Sequence, residues 1–254
     1  MAKEEFEKLE NTVRRLRVEC PWDRMQTNDS IKAATLEETY EVLEAIDQKD
    51  YEELKIELGD LLLHIVFHSL IAEDGKHFTL SEVINHITEK LIRRHPHVFE
   101  GIKIEDHHEV KRNWEMIKLS EGRISVVDGV PKELPALLRA FRLQEKASKF
   151  GFEWKTTKDA FKKVEEEIQE IEKSFEQKNI DHIEDEFGDL LFALVNFGRM
   201  NNINSEDALR KCNEKFIKRF QYVEKMVNKN SDDTNEDKLD QMLKYWEEAK
   251  KEII

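Results

Sequence analysis

Apolar residues recur at helical spacing through most of the chain. Phe6, Leu9, Val13 and Leu16 stand at alternating three- and four-residue steps and predict a helix that Cys20-Pro21 stops. Leu36, Tyr40, Leu43 and Ile46 predict a second helix, and Leu54, Leu58, Leu61, Leu62 and Ile65 a third. Leu80, Val83, Ile84, Ile87 and Leu91 predict a fourth that ends at His95-Pro96, and Val110, Trp114 and Ile117 a fifth. The segment from Gly122 to Pro135 gathers two glycines, two prolines and a β-branched run, which reads as a linker. Helical spacing then resumes over 136–149, 159–175, 180–200, 205–227 and 238–250, with a polar loop from Ser231 to Asp237. No strand alternation competes. The pattern predicts an all-α chain in two helical halves, 1–121 and 136–254, joined by a linker over 122–135.

Composition supports the helical reading and narrows the partners. Hydrophobic residues make up 39% of the 254 positions and charged ones 38%, with only 4 prolines and 8 glycines to interrupt helices. Acidic residues exceed basic ones, 55 to 41, for a net charge of −14. Such a chain repels a nucleic-acid polymer, whereas a small phosphate ligand arriving with a divalent metal is allowed, because the metal reverses the local sign. Cys20 and Cys212 read as two reduced thiols. The charged first ten residues contain no signal-peptide core, and the longest apolar run, Leu61 to Leu70, is broken by His64 and His68. A cytoplasmic protein with no membrane partner is expected.

The chemistry lies in an internal repeat. Glu37-Glu38-Thr39-Tyr40-Glu41 is followed by Glu57-Leu58-Gly59-Asp60, and Glu166-Glu167-Ile168-Gln169-Glu170 by Glu186-Phe187-Gly188-Asp189. Glu38 and Glu167, Glu41 and Glu170, Glu57 and Glu186, and Asp60 and Asp189 are each 129 residues apart. Residues three apart share a helix face, so each half presents two pairs of carboxylates. The short connection at Asp47 to Asp50 makes the two helices of the first half antiparallel neighbours, and the four acids converge. Without a counter-charge they repel one another and some pKa values rise. Such hard oxygen ligands call for Mg²⁺ or Mn²⁺. In a chain with 55 acids one EExxE is weak evidence of a site. Two copies in register, each followed by ExxD in an apolar helix, are not readily explained as solvated surface.

Basic residues repeat behind the acids. Lys90 and Arg94 recur as Lys215 and Arg219, and Trp114 and Lys118 as Trp246 and Lys250. A Lys and an Arg four apart on one face suit triphosphate oxygens, although singly each pair reads as helix surface, and the tryptophans as core. Asn196 and Asn213 have no amide counterpart in the first half, where Phe67 and Thr88 stand; an amide suits a sugar hydroxyl or phosphate oxygen. His64 and His68 lack the intervening glutamate of HExxH and read as packed helix histidines. No Walker A loop is present.

These residues resemble the MazG family of all-α nucleoside triphosphate pyrophosphohydrolases, whose signature is EExxE followed by ExxD. The resemblance extends to Cys20-Pro21-Trp22-Asp23 with Gln26-Thr27, to Arg94-His95-Pro96-His97-Val98-Phe99 and to Asp128-Gly129-Val130-Pro131. Asn28 departs from it, where the family usually has His. The resemblance implies two repeated MazG-like helical-bundle domains, hydrolysis of nucleoside triphosphates to monophosphate and pyrophosphate with Mg²⁺, and a homodimer. It makes Glu167, Glu170, Glu186 and Asp189 metal ligands, with Glu38, Glu41, Glu57 and Asp60 in the equivalent places. Lys215, Arg219, Trp246 and Lys250 become ligand-binding positions, and Glu37 and Glu166, the first acids of each EExxE, are left with an open role. Alternatives are a narrow pyrophosphatase for dUTP, dCTP or phosphoribosyl-ATP, and a catalytically silent helical adaptor that keeps a divalent ion for stability.

Overall fold

The computed structural model describes residues 2–101, 125–177, 179–229 and 238–252. Among them are eleven helices and no strand. The contacts divide the chain into two compact units, Met1–Asp106 and His107–Ile254. The predicted fifth helix with Trp114 and Lys118, the expected domain end at residue 121 and the loop from Ser231 to Asp237 lie outside the described residues.

The first unit contains α1 (Ala2–Glu19), α2 (Pro21–Met25), α3 (Lys32–Gln48), α4 (Tyr51–Asp74), α5 (Leu80–Arg94) and α6 (Pro96–Phe99). Its central pair is α3 against α4. Lys49, left-handed at φ 57°, ends α3, and the Asp50 carboxylate then accepts from the amides of Glu52 and Glu53 at 3.1 and 3.0 Å to start α4. A two-residue reversal of this kind makes the helices antiparallel. α1 lies on α4. The core joins Val13, Ile31, Val66, Phe67, Leu70 and Leu80, with Phe6, Leu9, Leu63 and Ile71 packed against it. Thr79 and Glu82 form a capping box that fixes the start of α5.

The second unit contains α7 (Ala136–Phe150), α8 (Thr157–Gln177), α9 (Ile180–Met200), α10 (Ser205–Lys229) and α11 (Lys238–Glu252). Its central pair is α8 against α9, with α7 and α10 also packed on α9 and α11 on α10. Ala160 and Val164 of α8, Ala193 and Val195 of α9, Val223 of α10 and Tyr245 and Ala249 of α11 are buried. The described part of the expected linker is tied to the second unit. The buried Lys146 ammonium of α7 donates to the carbonyls of Val126 and Asp128 at 3.2 and 3.0 Å, which pins this segment to the unit.

Candidate active site

Each central helix pair brings carboxylates together. In the first unit, oxygens of Glu38, Glu41 and Glu57 all lie within 4.8 Å of one another. Asp60 stands outside that trio, yet its charge acts on both Glu41 and Glu57. In the second unit the trio is Glu167, Glu186 and Asp189. Glu170 adjoins it, hydrogen bonded to Glu167 and repelled by Glu186. All eight acids expected from the repeat therefore fall in two groups of four. The raised carboxyl pKa values expected from such crowding are present. Desolvation, then the like charge of neighbouring acids, pushes Glu41 and Glu57 above the ordinary carboxylate range. The hydrogen bond with Glu167, then desolvation, does the same to Glu170.

Glu167 is the most telling member. It is 4% exposed, and its Oε2 is buried with no hydrogen-bond donor. Its Oε1 pairs with the Lys163 ammonium at 2.7 Å, which also reaches Glu166 at 2.8 Å. Those two acids, Glu166 first, push the Lys163 pKa strongly upward. Sequence reasoning missed Lys163, since the residue 129 positions earlier is Ala34 and no repeat marks it. It leaves Glu166 held by a lysine rather than aimed into the trio.

The two sites differ in what surrounds the acids. In the first, Thr35 Oγ1 lies 2.8 Å from both His64 Nδ1 and His68 Nε2, and His68 Nδ1 lies 2.8 Å from Asn28 Oδ1. His64 Nε2 is 3.8 Å from Glu38. Burial, then His64, pushes the His68 pKa down. The two histidines are half-buried on α4 and belong to a polar network beside the acids that also includes Asn28, more than the packing that the sequence reading gave them. In the second unit Val164, Ala193 and Phe197 occupy the positions 129 residues on from Thr35, His64 and His68.

The basic set is brought together only in part. Trp246 of α11 packs on Phe216 of α10 with ring centres 5.3 Å apart, which sets the tryptophan beside the residue that follows Lys215. Asn213 and Lys215 are exposed on α10, with Arg219 half-buried on the same helix. Lys250 is exposed on α11 and pairs with Glu247 at 2.6 Å. Lys90 and Arg94 lie half-buried toward the end of α5. Trp114 and Lys118 are outside the described residues. Leu58 and Leu62, flanking the acids of α4, are exposed, so the apolar residues of this helix are not all core.

The sequence matches the model of the MazG nucleotide pyrophosphohydrolase domain twice, over residues 26–99 and 155–224. It is 42% identical over 250 residues to the nucleoside triphosphate pyrophosphohydrolase/pyrophosphatase MazG of Thermotoga maritima, covering 96% of this chain and 95% of that one. It is 41% identical over 241 residues to the nucleoside triphosphate pyrophosphohydrolase of Escherichia coli, covering 92% of each. A Bacillus subtilis protein, YabN, is 44% identical over 252 residues, which cover 97% of this chain and 52% of YabN. Both repeats of the acidic motif lie inside the matched ranges.

Proposed function

The chain belongs to the MazG nucleotide pyrophosphohydrolase family and is a nucleoside triphosphate pyrophosphohydrolase, and from that premise we propose that the α8–α9 acids, with Mg²⁺ or Mn²⁺, carry its turnover. The observation that carries this reading is the Glu167, Glu186 and Asp189 trio with a buried, unpartnered Glu167 oxygen at its edge. An orphaned carboxylate oxygen among crowded acids has the chemistry of a site made for a hard divalent cation. Glu167, Glu170, Glu186 and Asp189 would hold it, and when bound it neutralises phosphate charge and makes water a stronger acid.

The chain's own residues supply the rest. Lys215, Arg219 and Lys250 offer charge-assisted donors to phosphate oxygens, with Asn213 beside them and Trp246 held on Phe216. A water oxygen attacks the α-phosphorus, the bond from that phosphorus to the bridging oxygen breaks, and pyrophosphate departs. The water's proton goes to a carboxylate oxygen of the acid cluster that is not engaged in holding the cation. Glu38, Glu41, Glu57 and Asp60 form a second metal site, with Lys90, Arg94, Trp114 and Lys118 as its ligand-binding set. Broad selectivity among nucleotides fits the family better than a single substrate.

A homodimer completes the reading. Leu36, Tyr40, Leu58, Leu62 and Ile65 on the α3–α4 pair, and Ile168, Phe187, Leu191 and Leu194 on the α8–α9 pair, are exposed large apolar residues. Sedimentation equilibrium is expected to give twice the chain mass of 30.2 kDa; a monomer at micromolar concentration would count against it. The activity itself is tested by incubating nucleoside triphosphates with the chain and Mg²⁺ and resolving the products. Monophosphate and pyrophosphate are expected in one step, lost on chelation. Diphosphate and orthophosphate as first products would refute the reading.

A further inference from the structure

A pocket of about 470 Å³ opens in the second unit beside α9. Asp189, Phe192, Asn196 and Arg199 follow one another on α9 at three- and four-residue steps, so they share a face. The last three line the pocket with Gln144, Phe152 and Trp154. Asn196 is seven residues past Asp189, roughly 10 Å along the helix axis. The pocket therefore begins about where a nucleoside would lie if its phosphates were held at the acids.

Its polar groups are few and their roles are fixed. Gln144 is 7% exposed; its Nε2 donates to the Phe192 carbonyl at 2.8 Å, which leaves its Oε1 as a buried acceptor without a donor. Arg199 Nη2 donates to Asn196 Oδ1 at 2.7 Å and to Glu153 at 2.6 Å. That bond orients the Asn196 amide and leaves its Nδ2 as a donor with no partner among the described residues. The Glu153 carboxylate neutralises the guanidinium, so the pocket has no spare positive charge for another phosphate. What remains unpaired is the buried Gln144 Oε1 acceptor, the Asn196 Nδ2 donor and the buried Arg199 Nε donor, between aromatic walls. Such a site suits a neutral, flat heterocycle with a mixed hydrogen-bonding edge.

The first unit shows what the pocket looks like when closed. Phe67 and Leu70, 129 positions before Asn196 and Arg199, are 5% and 2% exposed and pack with Val13 of α1 in the apolar core. The Arg17 guanidinium lies over the Phe67 ring, 5.6 Å from its centre. The space that is open and polar-headed on α9 is occupied by side chains on α4.

We propose that this pocket receives the nucleobase of the triphosphate, with Gln144 Oε1 accepting from the base and Asn196 Nδ2 donating to it, and that Phe67 denies the same place to a base in the first unit. The inference rests on the proposed triphosphate hydrolysis by the second unit.

The test compares kcat/KM for ATP, GTP, CTP and UTP with that for ribose 5-triphosphate, which has the phosphates and sugar but no base. The full chain is used with Mg²⁺, as wild type, Gln144→Leu and Asn196→Phe, the last placing the first unit's residue in the second. The wild type is expected to favour at least one nucleotide by about tenfold or more, the scale of one stacked and hydrogen-bonded base. The preference is expected to fall at least about threefold in both variants, through KM for the nucleotide. A wild-type preference below about tenfold overturns the proposal, as does a preference that either folded variant retains. Circular dichroism checks the fold; if one variant does not fold the other decides, and if neither folds the wild-type ratio does. Pyrophosphate released from every triphosphate without regard to the base defeats the pocket alone, whereas no pyrophosphate from any of them defeats the hydrolytic reading beneath it.

Discussion

Glu170 shares a hydrogen bond with Glu167 and feels the charge of Glu186, and its carboxyl titrates above the ordinary range as a result. A raised folded-state pKa means that the folded chain holds this proton more tightly than the unfolded chain does. The associated stability is present at low pH and is lost as pH rises from the unfolded value through the folded one. Glu170→Gln mimics the protonated acid at every pH. In the presence of a chelator its melting temperature is expected to equal that of the wild type near ~pH 4 and to exceed it increasingly toward ~pH 7. With Mg²⁺ the order is expected to reverse, because the variant lacks a ligand. A melting-temperature difference that stays constant across this pH range would contradict the assignment. At this scale the sequence displayed the eight acids, because they are identical in type and equally spaced between the halves. It hid Lys163, Gln144 and Arg199. Ala34 and Leu70 stand 129 positions before Lys163 and Arg199, and a search for what the halves share passes over what distinguishes them.

Helix by helix, the longer elements were legible because caps and periodicity agree. Asp50 and Thr79 stand where the apolar spacing of α4 and α5 begins. The short helices α2 and α6 were not. Four or five residues carry no period, and their Pro21 and Pro96 read as stops, whereas a proline in the first turn loses no intrahelical bond. The segment before α7 was legible only in part. The chain does turn at Gly129, but nothing local announces that Lys146 reaches back to the carbonyls of Val126 and Asp128. That long-range contact carries Val127 into the wall of the α9 pocket. Lys146→Met keeps the length of the side chain and removes its donors to the Val126 and Asp128 carbonyls. A loss of about 1–3 kcal/mol is expected in urea unfolding, the usual range for a hydrogen bond to a charged donor together with the group it leaves unpaired. A loss within 0.5 kcal/mol, about the scatter of neutral surface changes, would show that the segment is held by other contacts.

Taken over the whole chain, duplication gave two acidic sites and then different surroundings for each. The first keeps Glu38, Glu41 and Glu57 within 4.8 Å and adds the Thr35, His64, His68 and Asn28 network, but its α4 places Phe67 and Leu70 in the apolar core. The second has Lys163 on Glu167, an orphaned Glu167 oxygen, and an open pocket on the same face of the helix that holds Asp189. Among the described residues, only the second unit pairs the acids proposed to hold the metal with a pocket that has room for a nucleoside. Glu57→Gln and Glu186→Gln remove the equivalent acid from each half with little change in shape, so their comparison isolates the contribution of each site. Loss of Glu186 is expected to lower kcat by at least about 100-fold, roughly 2.7 kcal/mol of barrier, by deleting a ligand from the site that turns over. Loss of Glu57 is expected to cost much less, and to show chiefly as weaker metal binding in calorimetry, with one of two metal equivalents removed. Equal losses of kcat in the two variants, or a greater one from Glu57→Gln, would place the chemistry in the first half or divide it between both.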